Sequence, residues 1–225
     1  MSKATGALTE TPTRRTPALR CADFDCLPSA LEYAGGAESG FNFHDSRGNL
    51  VVAQSYGELR DAAEQAARRF MTLGLKRGAR VPVLAETSPD FAVWFFGCQL
   101  AGLVPVPLPV SVNLGGREAY ESYLQRLIEH CGGELCLHSA AMSSFVATAT
   151  ASLDLRFTGD REAFDALPMS DAPLEPLTAD EPAYIQYTSG STHFPRGAVI
   201  TGAAVMANNH AILRHGVELN GDDRY

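Results

Sequence analysis

Residues 80–108, RVPVLAETSPDFAVWFFGCQLAGLVPVPL, decide the fold that the sequence predicts. Arg80–Ala85 is a short apolar run typical of a buried strand. Ser88–Asp90 combines a helix N-cap, a first-turn proline and an acid that the helix dipole favours. The helix should continue to about Leu100, and Leu103–Leu108 is a second apolar strand. A strand, a helix and a second strand predict a right-handed crossover between parallel strands.

The uncharged run from Phe91 to Val110 could be mistaken for a membrane-spanning helix, because it is twenty residues long. Three prolines in its last third would break such a helix, and the acidic Asp90 stands where a basic flank is usual. A buried helix followed by a buried strand explains the run better. We therefore expect no transmembrane segment.

The alternation of helices and strands continues towards the C-terminus. Arg117–Cys131 has helical periodicity, Glu134–His138 is a third short strand, and Ala140–Thr150 is a weaker helix. Further along, Ala198–Thr201 has the pattern of a strand and Ala203–His215 that of a helix. The predicted fold class is α/β, with a parallel-rich sheet flanked by helices.

A hairpin and a capped helix are expected on the N-terminal side. Phe41–Ala53 places two short apolar runs on either side of a polar turn, which is typical of a β-hairpin. Ser55 and Glu58 have the spacing of a capping box, in which each side chain satisfies a free backbone amide. Apolar residues then recur at helical spacing through Phe70, and Gly74 is a suitable terminator.

Composition narrows the class of protein. The 225 residues are 45% hydrophobic and 20% charged, which favours a globular domain over a disordered chain. A net charge of −8 gives no indication of binding to nucleic acid or to an anionic membrane. Five cysteines without a CxxC pair, and no apolar signal-peptide core in the first twenty residues, predict a cytoplasmic protein. Residues 1–27 are polar and rich in Thr and Pro, so we expect a loosely ordered leader there.

The segment Ala183–Ala198, AYIQYTSGSTHFPRGA, carries the chemistry. A strand ending at Tyr187 is followed by four hydroxyl residues and a glycine in Thr188–Thr192, whose N–H and O–H groups can converge on one anion. Arg196 adds a guanidinium suited to phosphate oxygens, and Gly197 a second flexible point. The plainer interpretation is a hydroxyl-rich turn without a ligand. A Walker-type loop is excluded, because the sequence has no GxxxxGK[ST].

This loop resembles the phosphate-loop signature of the adenylate-forming enzymes, the superfamily of acyl-CoA synthetases, peptide-synthetase adenylation domains and luciferases. Its usual form is YTSGSTGxPKG, and eight of the eleven positions match: Tyr187–Thr192, Pro195 and Gly197. The chain from the GELRDAAEQ helix to the AGLVPVPL strand is similar to the N-terminal subdomain of that family. Residues 108–130, LPVSVNLGGREAYESYLQRLIEH, resemble the fatty acyl-AMP ligases within it.

Two positions of the loop depart from the usual signature. His193 replaces a glycine and Arg196 replaces a lysine, so the positive charge is kept on a wider, planar group. Fatty acyl-AMP ligases commonly vary at both positions. The same departures also fit a non-catalytic relative that has lost the chemistry.

The resemblance implies the N-terminal portion of an acyl-CoA synthetase-like fold, with residues 28–225 forming part of an adenylate-forming domain. It implies that ATP, with Mg²⁺, activates a fatty acid to an acyl-adenylate for transfer to the thiol of an acyl carrier protein. It also implies that the loop binds the phosphates of ATP, through Thr188, Ser189, Gly190, Ser191, Thr192, Arg196 and Gly197.

The same resemblance leaves the catalytic residues unassigned. In the family, the acids that hold magnesium and the ribose, and the lysine at the α-phosphate, lie downstream of the position of Tyr225. We therefore expect this chain to be an N-terminal fragment that is inactive alone. Two alternatives stay open: a ligase that forms acyl-CoA, and an adenylation-like binding module without catalysis.

Other groupings of reactive residues favour structural roles. His130, Cys131, Cys136 and His138 invite a zinc site, but their spacing is not that of a zinc knuckle, so no metal site is predicted. Trp94 and its two neighbouring phenylalanines are expected to pack in the core rather than to bind substrate. A capping or solvated role is favoured for Asn208–His210 over contact with an acyl chain.

Overall fold

The computed structural model describes residues 18–110, 115–188 and 194–217. Its centre is a four-stranded sheet with the strand order β4-β3-β5-β6, in which every pair is parallel. The strands of this central sheet are β3 (Arg80–Leu84), β4 (Val104–Leu108), β5 (Leu135–Leu137) and β6 (Phe157–Gly159). This parallel sheet confirms the predicted α/β fold class.

Helices connect the strands of the central sheet. They are α3 (Pro89–Leu100), α4 (Arg117–Cys131) and α5 (Ser143–Thr150), and the short helix α6 (Arg161–Asp165) follows β6. Ser88 caps α3 by accepting a hydrogen bond from the N–H of Phe91, and Pro89 occupies the first turn. The predicted strand, helix and second strand of residues 80–108 are confirmed.

The hairpin and capped helix expected before the sheet are also confirmed. β1 (Gly40–His44) pairs antiparallel with β2 (Leu50–Ser55), and α2 (Tyr56–Phe70) follows at once. At its start, the Ser55 hydroxyl accepts from the Glu58 N–H at 3.2 Å, and the Glu58 carboxylate accepts from the Ser55 N–H at 2.8 Å. A single 3₁₀ turn separates α2 from Gly74, whose φ of 67° is readily adopted only by glycine.

The core beneath α2 and α3 is built around aromatic rings. Trp94 and Phe70 are 2% and 0% exposed, and Phe164 of α6 packs against both, with ring centroids 6.2 and 4.7 Å apart. The prediction that Trp94 packs in the core is therefore confirmed. Its neighbours Phe95 and Phe96 are only partly buried.

A second hairpin lies beside the central sheet. β7 (Pro182–Tyr187) pairs antiparallel with β8 (Gly197–Thr201), and Thr201 caps the helix α7 (Gly202–Ala211). The sequence predicted one helix over Ala203–His215, whereas α7 ends at Ala211 and a π-helical turn covers Ile212–Gly216. Three short elements were not predicted: β6, α6 and the helix α1 (Leu27–Ala34) before the first hairpin.

Residues 18–26, the end of the expected polar leader, contact two helices. The Tyr33 hydroxyl on α1 donates to the Ala18 carbonyl at 2.8 Å, and the His210 Nδ1 on α7 lies 2.7 Å from the Cys21 carbonyl oxygen.

Within the described ranges, no helix is long and apolar enough to cross a membrane.

A pH-sensitive ion pair ties the connector before β7 to the turn before β3. The Glu181 carboxylate accepts hydrogen bonds from the Arg77 guanidinium at 2.7 and 2.8 Å and from the Thr178 N–H at 2.8 Å. These bonds lower the pKa of Glu181 to about 2, with the Arg77 bond as the largest cause.

We expect Glu181→Gln to remove about 1 kcal/mol of stability at pH 6, a modest value because both partners remain partly in water. Because the pKa of Glu181 is lower in the folded protein than its ordinary value of 4.5, its carboxylate stabilises the fold at pH values above about 4.5. This contribution disappears as the pH falls towards 2. Urea unfolding from pH 6 down to pH 2 should therefore show wild type and variant converging at the acidic end. A difference that stayed constant with pH would contradict this assignment.

Candidate functional site

The hairpin of β7 and β8 holds the two ends of the predicted phosphate loop together. Tyr187 pairs with Gly197, and beyond them the Thr188 N–H donates to the Arg196 carbonyl at 3.0 Å. The Thr188 hydroxyl reaches the same carbonyl at 3.4 Å. Thr188, Arg196 and Gly197 thus meet at the base of the loop.

The central part of the predicted site cannot be placed in the same way. Ser189, Gly190, Ser191 and Thr192 lie outside the described residues, as does His193. Their predicted contacts with phosphate stay a prediction from the sequence. The described residues nevertheless fix where the loop leaves the sheet and where it returns.

Gly197 fits closely against neighbouring side chains of the hairpin. It lies in β8, and a Cβ atom there would lie 2.9 Å from the Ile185 Cγ2 and 3.6 Å from the ring of Tyr187. A larger residue here would have to displace the side chain of Ile185. In this hairpin, close packing is a stronger reason for glycine than the flexibility expected from the sequence.

Arg196 presents a cation beside the loop. Its side chain is exposed, and no carboxylate of the described residues lies within ion-pair distance of it. A guanidinium in that state can form paired hydrogen bonds to phosphate or carboxylate oxygens. The base of the loop therefore combines an exposed hydroxyl, on Thr188, with an exposed cation.

Helix α4 supports both ends of the loop. The Tyr187 hydroxyl shares a hydrogen bond of 2.8 Å with the His130 Nδ1 and lies 3.4 Å from the Leu127 carbonyl oxygen. The ring of Phe194, on the returning side, lies 5.2 Å from the His130 ring, and the Arg126 guanidinium stacks over it at 4.5 Å. Burial raises the pKa of Tyr187 to about 12, so its hydroxyl stays protonated at neutral pH.

The α4 contacts were not predicted from the sequence, which had placed His130 only in a candidate zinc cluster. The other members of that cluster have structural partners or are buried. Burial raises the pKa of Cys131 to about 11 and that of Cys136 to about 12, and the His138 Nδ1 lies 2.8 Å from the Ser139 carbonyl oxygen. Among the described residues, no three metal-binding side chains are grouped to hold an ion.

A mainly apolar cavity of about 690 Å³ lies between the segment 18–24, α1 and α7. Asn209 and Met206 of α7 line it together with Phe96 of α3. The neighbouring His210 instead binds the Cys21 carbonyl, and Asn208 is exposed. Of the three polar residues considered on this helix, only Asn209 therefore lines the cavity.

Comparison with known proteins identifies relatives along most of the chain. Residues 46–225 match the protein family described as AMP-binding enzyme. A Caulobacter vibrioides protein that carries the provisional name acyl-CoA synthetase is 39% identical over 214 residues, which cover 95% of this chain and 37% of that protein. A long-chain-fatty-acid–AMP ligase of Mycobacterium tuberculosis is 32% identical over 171 residues, covering 73% of this chain and 28% of the ligase.

A solved structure from work on the fatty acyl-adenylate ligases of E. coli and L. pneumophila is similar in both sequence and fold. It superposes with a TM-score of 0.86 at 41% identity, covering 91% of this chain and 37% of the other. This chain thus spans between 28% and 37% of the length of these three proteins.

Proposed function

Because the chain belongs to the AMP-binding enzyme family, we propose that it supplies the phosphate-binding loop of an enzyme that activates a fatty acid with ATP. It has the α/β fold of the N-terminal part of the adenylate-forming enzymes. The observation that carries the proposal is the β7–β8 hairpin. Its loop keeps eight of eleven signature positions, and its base places Thr188 beside the exposed Arg196.

In the proposed reaction, a carboxylate attacks the α-phosphorus of ATP, and pyrophosphate leaves with an acyl-adenylate as the other product. The loop has no covalent role and must hold the β- and γ-phosphates while negative charge moves onto the leaving group. Thr188, Ser189, Ser191 and Thr192 donate hydrogen bonds to these phosphates and Arg196 supplies the positive charge. Gly190 lets the backbone approach the anion, and Gly197 allows close packing in the hairpin at the base of the loop.

Magnesium would neutralise phosphate charge in such a reaction. In nucleotide sites, Mg²⁺ is bound largely by phosphate oxygens and water. The hydroxyls of the loop can therefore bind the phosphates without supplying all the ligands of the metal. Among the described residues, no three carboxylate, histidine or cysteine side chains are grouped to hold such an ion. We therefore assign the loop to the phosphates and leave the magnesium ligands unassigned in this chain.

We propose a fatty acid as the acid and an acyl carrier protein thiol as the acceptor of the acyl group. The acid is supported by the similarity to the solved fatty acyl-adenylate ligase and to the mycobacterial fatty-acid–AMP ligase. Coenzyme A is the alternative acceptor, supported by the name of the Caulobacter relative. The five free cysteines fit the reducing conditions of the cytoplasm, where we place the enzyme.

We further propose that residues 28–225 are the N-terminal part of a longer adenylate-forming domain and that this part is inactive alone. The support is the coverage of the relatives, of which at most 37% is matched. The intact mass of the natural gene product tests this proposal. A mass above twice the 24.1 kDa of this chain is expected, and a mass of 24.1 kDa would overturn it.

ATP binding tests the assignment of the loop. Both Arg196 and Arg47, on the β1–β2 turn, are exposed. We expect MgATP to slow tryptic cleavage after Arg196 in the 225-residue chain and to leave cleavage after Arg47 unchanged. Calorimetric titration with MgATP measures the affinity directly. If millimolar MgATP neither changed the rate of cleavage at Arg196 nor gave a heat of binding, a nucleotide site in this chain would be refuted.

A further inference from the structure

His130 is the side chain that joins the two ends of the phosphate loop. It shares a 2.8 Å hydrogen bond with Tyr187, the last residue of β7, and its ring lies 5.2 Å from Phe194 on the returning side. Tyr187 directly precedes Thr188, and Phe194 lies two residues before Arg196. One side chain of α4 therefore contacts the chain both where it leaves the hairpin and where it returns.

Other groups of α4 also hold the two residues that His130 contacts, Tyr187 and Phe194. Its partner Tyr187 is partly buried, and the Tyr187 hydroxyl also lies 3.4 Å from the Leu127 carbonyl oxygen of the same helix. On the other side, Phe194 is held between three α4 side chains: the His130 ring, the Tyr123 ring at 6.3 Å and the Arg126 guanidinium at 4.5 Å. Two edge-to-face ring pairs and a stacked cation each restrict where Phe194 can lie.

Tyr187 and Phe194 are close in sequence to the residues that form the base of the loop. The hydrogen bond from the Thr188 N–H to the Arg196 carbonyl lies one residue beyond Tyr187 and two beyond Phe194. If the Tyr187 ring shifts, Thr188 and its hydroxyl shift with it. If Phe194 shifts, so does the backbone that carries Arg196.

We propose that His130 is a positioning residue, which orients the phosphate loop through Tyr187 and Phe194 and so sets the affinity for the polyphosphate of ATP. This inference rests on the proposed function. It adds a residue from a helix that the loop motif does not include. His130 itself contacts no substrate group in this assignment.

Three substitutions separate the hydrogen bond from the ring contact. His130→Phe keeps a ring beside Phe194 and loses the nitrogen that meets Tyr187. Tyr187→Phe removes only the hydroxyl of the same hydrogen bond. His130→Asn keeps an amide near the position of Nδ1, which can donate to or accept from the tyrosine hydroxyl. Tyr33→Phe is the matched control, because it removes a 2.8 Å tyrosine hydrogen bond to the Ala18 carbonyl, away from the loop.

Two measurements on the full 225-residue chain distinguish positioning from general stability. Hydrogen exchange of the Thr188 amide reports the loop base without any ligand, and calorimetry with MgATP reports affinity. For His130→Phe and Tyr187→Phe we expect exchange about tenfold faster and a Kd about five- to tenfold higher, the size of one net hydrogen bond. The double variant should be no worse than either single variant, because both remove one interaction.

His130→Asn should recover most of both effects, and Tyr33→Phe should change neither. Unchanged exchange at Thr188 in His130→Phe would overturn the proposal, and so would faster exchange with an unchanged Kd. If the wild-type chain bound no ATP while exchange still responded to His130→Phe and recovered with asparagine, the nucleotide function would fail and the orienting contact would stand. If neither response occurred, both would fail.

Discussion

Phe164→Ala is expected to lower the free energy of unfolding by about 3–5 kcal/mol, the usual cost of truncating a buried phenylalanine. Phe164 is fully buried, and its ring contacts those of Phe70, Trp94 and Phe157 at centroid distances of 4.7, 6.2 and 6.0 Å. Its removal leaves a cavity shared by two helices and a strand, which these rigid neighbours cannot fill. Urea unfolding followed by tryptophan fluorescence measures the loss, because Trp94 is the single tryptophan and lies in the same cluster.

Phe41→Ala is the matched control for this cavity. Phe41 lies on β1, is 39% exposed and contacts the Tyr56 ring at 5.3 Å, so its truncation should cost less than about 1.5 kcal/mol. Equal losses in the two variants would mean that Phe164 does not anchor the core. A small loss for Phe164→Ala alone would show that α6 can detach without unfolding the sheet.

The importance of Phe164 illustrates what the sequence could not predict. It lies on α6, a helix of five residues, which is too short for a periodic pattern to be recognised. The same is true of β6, with three residues. By contrast, α3 has an N-cap, a first-turn proline and an apolar run, three signals that agree, and the structure confirms it.

The eight residues of α1 also escaped prediction, for a different reason. Its N-cap is Cys26, which is not among the residues that usually mark a helix start. A polar, proline-containing leader was expected to extend to that position. The signal that could have been found is Pro28 in the first turn, followed by Leu31 on the buried face.

The candidate site also contains features that the sequence predicts and features that it does not. The loop could be assigned to phosphate because its hydroxyls, glycines and cation are adjacent in the sequence. The contact of His130 with Tyr187 joins residues that are 57 positions apart, and no local pattern reveals which face of α4 meets β7. The sequence therefore predicts both the residues proposed to bind phosphate and the helix α4, but not the contacts by which α4 supports the loop.

Arg196→Ala should weaken binding of MgATP about ten- to hundredfold, since a charge-assisted hydrogen bond contributes about 1.5–3 kcal/mol. The guanidinium is exposed and has no carboxylate partner among the described residues, so its loss removes a ligand contact without breaking an ion pair there. Its backbone carbonyl, which closes the loop base with Thr188, is retained in the variant. Calorimetric titration of wild type and variant at low salt gives the ratio of the two dissociation constants.

Arg196→Lys and Arg47→Ala complete this experiment. Lysine stands at this position in the usual signature and keeps the positive charge. The Kd of Arg196→Lys should therefore stay within about fivefold of wild type, and the difference reflects the loss of the paired hydrogen bonds that a guanidinium can form. Arg47 is an exposed arginine on the turn of the first hairpin, and its removal should leave the Kd unchanged. The wild-type advantage over Arg196→Ala should shrink as salt is raised from 0.01 M to 1 M, because screening weakens an exposed charge. An alanine variant that bound MgATP as tightly as wild type at low salt would show that the cation beside this loop does not contact the nucleotide.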